Sequence, residues 1–272
     1  MKLFNSAING LFDLLFWPFS ALPPIWVLTI VSVASGVLML WIFGRISDQD
    51  SIRTIRDRIR GNLIAVRLFG DDIGLLFRLQ GRLLWDNVVF LKYALLPLLV
   101  MFIPVLLIIV QLNLRFAAEP LVPGQSTLLK VTTREAGTIA SGVTLEAPEG
   151  IVVETPGVRV SSQREVSWRI RTDREGEFDL RLLAGGDEVV KQLRVGGGWG
   201  AVSTLRTGKS FFEKLLYPGE APIAGSPIQS IEVVHEPLPL ELFGFPMNWL
   251  FFFFVVSILA GFAFRRALGV EI

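Results

Sequence analysis

The chain has 272 residues, of which 51% are hydrophobic and only 19% are charged, and its net charge is +1. Soluble domains carry about 25% charged residues, so this deficit is typical of a membrane protein, and the near-neutral charge predicts no nucleic-acid partner. Because cysteine is absent, disulfide frameworks, thiolate metal sites and cysteine nucleophiles are excluded.

Residues 1–24 carry apolar side chains at helical spacing, with Asn5, Asn9 and Asp13 on the other face. The segment has no clean apolar core and no small-residue cleavage site, so it is not typical of a signal peptide. We expect an interfacial amphipathic helix on the outer leaflet, in contact with membrane lipids. Its apolar face is predicted to consist of Leu3, Phe4, Ala7, Ile8, Leu11, Leu14, Leu15 and Phe16.

Three apolar runs predict membrane-spanning helices, at residues 25–43, 88–112 and 246–264. Arginine is concentrated directly after the first run, at residues 45–60, and after the third run, at Arg265 and Arg266. An excess of Lys and Arg beside a span marks its cytoplasmic end. We therefore expect a multi-pass protein of the bacterial cytoplasmic (inner) membrane, with the N-terminus outside and the tail, residues 265–272, in the cytoplasm.

Residues 44–87 predict a cytoplasmic hairpin of two amphipathic helices, with a break at Gly70-Asp71-Asp72. Apolar residues recur in steps of three and four, so two facing stripes are expected, as in a coiled coil. Candidate contacts for a client protein or for anionic lipid are Arg53, Arg56, Arg60 and Arg67. A solvated coiled coil without a ligand is the alternative.

Residues 113–245 change in composition to short segments rich in Val, Ile, Leu and Thr, punctuated by Pro and Gly. This pattern predicts an external immunoglobulin-like β-sandwich, with most of its strands within residues 126–195 and a further strand around Val233, Val234 and Pro237 that leads to the third span. Trp168 is the expected core anchor, residues 175–195 are expected to form a hairpin, and the glycine-rich residues 196–200 are expected to form a flexible linker. The predicted fold class is an α+β membrane protein with three transmembrane helices, a cytoplasmic helical hairpin and this external sandwich.

The sequence contains no constellation of catalytic, cofactor-binding or metal-binding residues. His235 is the only histidine, so neither a histidine metal cluster nor a Ser–His pair is expected, and the chain is not expected to be an enzyme. Small-residue patterns at Ser32-x-x-x-Gly36 and Ser257-x-x-x-Gly261 favour helix packing. The candidate polar lining of a groove between the spans is Ser32, Ser35, Gln111, Asn113 and Ser257.

The order of parts in residues 25–112 resembles the YidC/Oxa-type insertase superfamily. The matching stretches are SDQDSIRTIRDRIRGNLIAVRLFGDD and LLPLLVMFIPVLLIIVQLNLRF, followed later by a third span. The closest likeness is the minimal three-span form, seen in archaeal YidC-like proteins and in the ER membrane protein complex. Bacterial YidC carries an Arg in its membrane groove, whereas residues 25–43 contain no ionisable side chain. The whole chain is also similar to a family of bacterial membrane proteins with a GVEI-like tail, a likeness that implies no activity.

The resemblance implies a membrane protein that assists the insertion, folding or assembly of other membrane proteins. Its expected partners are nascent membrane proteins or the ribosome at the cytoplasmic tip. The alternative is a non-catalytic accessory or scaffold subunit whose external β domain binds a partner protein. Neither hypothesis requires a cofactor.

Overall fold

The computed structural model describes residues 2–68, 73–135, 137, 142–242 and 244–270, without the side chains of residues 2–4, 49, 51–53, 63, 65–68, 73, 75–79 and 94. The fold is α+β, with helices and antiparallel sheets. The chain divides into two compact units. The β unit comprises Met1–Val27 and Ile109–Trp249, and the helical unit comprises Leu28–Ile108 and Leu250–Ile272. The predicted break at Gly70-Asp71-Asp72 lies outside the described residues.

Two helices are long and apolar enough to cross a membrane, α2 (Pro24–Ile46) and the Gln80–Phe116 part of α4 (Ile73–Phe116). A third apolar helix, α6, has only 16 residues. α4 continues through Pro97 and Pro104, so the second hairpin helix and the second apolar run form one element. The helices are α1 (Lys2–Phe16), α2 (Pro24–Ile46), α3 (Gln49–Leu68), α4 (Ile73–Phe116), α5 (Phe211–Leu216) and α6 (Trp249–Phe264).

The described strands of the β unit form two antiparallel sheets and one short hairpin, β10–β11. The larger sheet has the order β3-β5-β1-β9-β8, with β4 also paired with β5, and the smaller sheet has the order β2-β6-β7. The strands are β1 (Ser126–Thr133), β2 (Val143–Glu146), β3 (Ile151–Val153), β4 (Val158–Val160), β5 (Glu165–Thr172), β6 (Gly176–Ala184), β7 (Asp187–Val195), β8 (Leu205–Thr207), β9 (Ile228–Val233), β10 (Glu241–Leu242) and β11 (Phe245–Pro246).

Both sheets bury alternate side chains in one hydrophobic core. On β5 the buried residues include Val166, Trp168 and Ile170, and on β6 they include Leu180 and Leu182. The predicted role of Trp168 as a core anchor is confirmed. Each fully buried aliphatic or aromatic side chain stabilises the fold by roughly 1.5–3 kcal/mol, so this shared core is the main source of stability in the β unit.

The β6–β7 hairpin confirms the hairpin predicted for residues 175–195, with its first strand beginning at Gly176. Its two-residue turn, Gly185-Gly186, has φ values of 60° and 88°, as a type I′ turn requires. The strand predicted around Val233 is β9, which lies between β1 and β8 and adds Ile228, Ile231 and Val233 to the core, instead of only leading to the third apolar run. The β fold therefore extends well beyond residue 195.

Candidate functional site

The helical unit contains an apolar cavity of about 330 Å³ between α2, α4 and α6, here called the helix cavity. Its wall includes Ser35, Met39, Met101, Phe253 and Ser257. Among the described residues that line it, none is charged. Because methionine side chains adapt to irregular partners, this wall fits an apolar guest of variable shape.

Two small residues bring α2 and α6 into backbone contact beside the helix cavity. A Cβ atom on Gly36 would overlap the carbonyl oxygen of Ser257, and a Cβ atom on Gly261 would lie 3.8 Å from the carbonyl oxygen of Gly36. Helices in a membrane approach this closely only through small residues. The helix-packing interpretation of the two small-residue patterns is therefore confirmed at this crossing.

The five polar residues predicted to line a groove divide between the two units. Ser35 and Ser257 line the helix cavity. Ser32 is fully buried, and its hydroxyl donates to a backbone carbonyl oxygen of α2 at 2.6 Å. Ser32 does not line the helix cavity. Gln111 and Asn113 belong to the β unit, where Gln111 is buried and Asn113 lines a separate small cavity. The structure therefore brings two of the five together in one cavity.

The four arginines predicted to contact a client or lipid lie on α3. The side chains of Arg53 and Arg67 lie outside the described residues. Arg56 is half-buried, whereas Arg60 is exposed, with its guanidinium 3.9 Å from the carboxylate of Asp57. Of the described pair, Arg60 is the side chain that reaches the surface.

Asp86 connects α3 and α4, although it is not among the site residues predicted from the sequence. Its side chain is 5% exposed and accepts hydrogen bonds from Asn62 at 3.0 Å and Arg58 at 3.4 Å. Removing one partner of a buried ion pair costs about 3–5 kcal/mol, although the exposure of Arg58 lowers that figure here. The sequence signal is its position, since Asp86 is the last acidic residue before the second apolar run.

α1 packs on the rest of the β unit through its polar face. Asn5 and Asn9 donate to the backbone carbonyl oxygens of Lys214 and Pro218, at 3.4 and 3.0 Å. Asn9 also accepts a hydrogen bond from the side chain of Gln111 at 2.8 Å. The polar side of this amphipathic helix faces protein, which is the reverse of the arrangement on a soluble domain.

Arg115, in the last turn of α4, is the centre of this polar network. Its side chain is 3% exposed and pairs with the carboxylate of Asp13. It also donates to the backbone and side-chain oxygens of Gln111, at 3.2 and 2.6 Å, and its Cζ lies 5.1 Å from the centre of the Phe16 ring. Charge, hydrogen bonding and cation–π stacking therefore hold α1 against the end of α4.

An aromatic cluster lies next to this network. The stacked rings of Phe116 and Trp199 are 5.4 Å apart, and Phe16 meets Trp199 edge-on at 6.2 Å. The indole N–H of Trp199 donates to the carbonyl oxygen of Leu22 at 3.1 Å. Two predictions are corrected: Phe16 is buried on the inner side of α1, and residues 196–200 are anchored by Trp199 rather than forming a free linker.

A second cavity, of about 690 Å³, opens beside the cluster and is here called the β cavity. Its wall combines Trp17 and Trp199 with the charged side chains of Asp13, Asp179 and Arg194. Sites for small molecules commonly measure about 300–1,000 Å³ and combine aromatic walls with a few polar groups. The β cavity has this size and this mixture of side chains.

Lys191 is completely buried on β7 and is paired with Glu220. Its ammonium also donates to the carbonyl oxygens of Ser203 at 2.6 Å and Gln192 at 2.9 Å. Burial lowers the pKa of Lys191, while the Glu220 carboxylate acts in the opposite direction. The hydroxyl oxygen of Ser203, at 3.3 Å, is a further acceptor. Lys191 is therefore a structural clamp that ties the segment after β7 to that strand.

His235 is half-buried, with its Nδ1 atom 2.8 Å from the carbonyl oxygen of Val233. Burial lowers the pKa of His235; the hydrogen bond to the backbone of Val233 acts in the opposite direction, and the charge of Lys191 adds to the effect of burial. Across the part of the chain that the structure describes, no group of three or more His, Cys, Asp or Glu side chains is placed to hold a metal ion.

No family model, curated protein or solved structure matches this chain. The YidC-like resemblance stays a prediction, and the function proposed below rests on the helix cavity and its surroundings.

Proposed function

We propose that the chain is a multi-pass protein of the bacterial inner membrane with three spans, in α2, α4 and α6. Exposed apolar side chains support this proposal, among them Leu95 and Ile103 on α4 and Leu259 on α6. Apolar surface of this extent is favourable against lipid and unfavourable against water. α6 covers about 24 Å at 1.5 Å per residue, and Met247 and Asn248, between β11 and α6, extend it towards the hydrocarbon thickness of about 30 Å.

Charges near the helix ends support an external N-terminus and a cytoplasmic C-terminus. The guanidinium carbon of Arg45 lies 5.4 Å from the ring centre of Trp41 at the end of α2, and Arg265 and Arg266 follow α6. Lys, Arg and aromatic side chains are enriched together where a span meets the cytoplasm. In this orientation α3 is cytoplasmic, and the sheets of the β unit are external.

Within the membrane, the function that the geometry supports best is YidC-like assistance to the insertion, folding or assembly of other membrane proteins. The observation that carries this proposal is the helix cavity, because all three proposed spans border it. The α3–α4 pair, with its register fixed by Asp86, lies on the proposed cytoplasmic side. A nascent chain or a ribosome would approach from that side.

The wall of the helix cavity indicates which clients it would receive. A charged client residue would lose its hydration there without meeting an opposite charge, at a cost of several kcal/mol. The hydroxyl groups of Ser35 and Ser257 offer only neutral hydrogen bonding. We therefore propose uncharged apolar helices as clients, which departs from the arginine-containing groove that the resemblance implies.

We further propose that the two sheets form an immunoglobulin-like sandwich. The order β2-β6-β7 corresponds to the C-F-G sheet of the constant type, and the order β3-β5-β1 corresponds to D-E-B. β9 lies beside β1, where strand A lies beside strand B in that type. Here the strand in the A position follows the other strands along the chain instead of preceding them.

The alternative function is a non-catalytic accessory or scaffold subunit whose external β domain binds a partner protein. The β cavity favours this alternative, since Trp17 and Trp199 offer large aromatic surfaces beside charged groups. Aromatic side chains of this kind supply much of the binding energy at protein interfaces.

Photocrosslinking distinguishes the two functions. A photoreactive amino acid at Met39 or Met101 faces the helix cavity, whereas one at Leu38 or Ile103 lies exposed on the same helices outside the lining. We expect nascent membrane proteins to crosslink to the two cavity positions and much less to the two controls.

The same experiment with a probe at Asp179, in the wall of the β cavity, tests the alternative. A protein adduct at Asp179, with no nascent-chain adduct at either methionine, would favour the accessory subunit and remove the support for an insertase.

A further inference from the structure

The exposed side of α1 is apolar, although the helix is fixed to the β unit by its polar side. Leu14 is 69% exposed, and Leu11 and Leu15 on the same side are more than half exposed. Trp17, directly after the helix, is also exposed. A helix on a soluble domain presents its polar side to solvent, so the surroundings of α1 must differ from water.

α5 continues this apolar surface. The hydrogen bonds from Asn5 and Asn9 to the carbonyl oxygens of Lys214 and Pro218 place α5 and the turn after it against α1. Phe211 and Phe212 of α5 are both exposed, with Phe212 at 70%. Their polar neighbour Glu213 points inward and accepts a hydrogen bond from Thr207 at 2.8 Å. Asn5 and Asn9 of α1 and Glu213 of α5 therefore turn towards the β unit, while Phe211 and Phe212, like the exposed leucines of α1, turn away from it.

The contacts of α1 with α4 indicate what covers this surface. Asn9 and Asp13 meet Gln111 and Arg115, which lie at the very end of the long apolar helix α4. An element fixed at that level lies where a span leaves the hydrocarbon, and amphipathic helices bind there with Trp, Phe and Leu turned to the lipid. A surface that binds a protein partner would have no reason to lie at the end of a span.

We propose that Leu11, Leu14, Leu15, Trp17, Phe211 and Phe212 form one surface, here called the lipid face, that binds the outer leaflet of the membrane. The β unit then contacts the lipid directly through two separate chain segments, α1 with Trp17 and α5. This inference rests on the proposed membrane location and adds to it the depth and orientation of the external domain.

Spin labelling tests the lipid face in the full-length chain, which has no cysteine of its own. Single cysteines at Leu14 and Phe212 carry the label, and Val158, an apolar residue 57% exposed on β4, is the matched control. The protein is reconstituted in vesicles of phosphatidylethanolamine and phosphatidylglycerol. Collisions of the label with oxygen, which concentrates in lipid, are compared with collisions with a water-soluble nickel chelate.

We expect labels at Leu14 and Phe212 to collide more with oxygen than with nickel, and the label at Val158 to show the opposite. Labels at Leu14 and Phe212 that are as accessible to nickel as the one at Val158 would overturn the lipid face. Carbonate extraction of the same vesicles separates this failure from a failure of the proposed function. A chain released by carbonate contradicts the membrane location itself, whereas a retained chain with water-exposed labels contradicts only this inference.

Discussion

His235 is the only histidine in the chain, and histidine is the residue whose charge ordinarily changes near neutral pH. Burial lowers the pKa of His235 in the folded protein, whereas in the unfolded chain it is about 6.5. The unfolded chain therefore binds the proton more readily, so the contribution of His235 to stability is complete above about pH 6.5 and declines as the pH falls towards its folded pKa.

We expect the melting temperature of the detergent-solubilised protein to fall between pH 7.5 and pH 5.5, and His235→Gln to flatten this dependence. Near-ultraviolet circular dichroism at a series of pH values measures both. Val234→Thr, a neutral change at the adjacent position, should keep the wild-type slope. Equal slopes for the wild type and His235→Gln would show that another group controls the pH response.

Individual site residues were predictable only where their partners are close in the sequence. The four-residue spacing of Asn5, Asn9 and Asp13 predicts one polar face, and the structure contains it. Their partners Gln111 and Arg115 are about a hundred positions away, and no local pattern connects the two sets. The position of Gln111 at the end of an apolar run predicts a groove between spans, whereas the structure places its side chain against Asn9 in the β unit.

The crossing of α2 and α6 leaves no room for a side chain at Gly36. Gly36→Val would push the two helices apart and reshape the helix cavity, and overpacking of this kind typically costs about 1–3 kcal/mol. We expect a lower melting temperature and fewer crosslinks from the cavity probe at Met101. Ala34→Val, on the exposed side of α2, makes a similar change without the clash and should leave both unaltered. If the two variants behave alike, the crossing is not as close as described.

Among helices and strands, the sequence predicts pairings between neighbouring segments and does not predict pairings between segments that are far apart in the chain. The β6–β7 hairpin follows from alternating apolar residues around Gly185-Gly186, all within twenty positions. β9 follows the glycine-rich residues 196–200 in the chain and pairs with β1. The sequence of so short a strand does not indicate which sheet it joins. The apolar part of α4 is predictable, since its residues run without a charged break from Tyr93 to Asn113.

For the whole molecule, the proposed topology makes a direct prediction for single cysteines in the cysteine-free chain. We expect a membrane-impermeant maleimide to label Thr144→Cys in intact cells, and to label Gly61→Cys and Ala267→Cys only after lysis. The three positions are exposed, so labelling in lysed cells is the control for reactivity. Labelling of Gly61→Cys or Ala267→Cys in intact cells would contradict the proposed orientation.

The β unit is assembled from two stretches of chain that the helical unit separates. Asp13 leaves the ribosome 102 residues before its partner Arg115. At a synthesis rate of about 5–20 residues per second, that interval lasts about 5–20 s. During this time α1 has no docking partner, and lipid is the surface that matches its apolar side. The four side chains of the lipid face that precede α4, Leu11, Leu14, Leu15 and Trp17, would therefore hold the first helix near the membrane until α4 is complete.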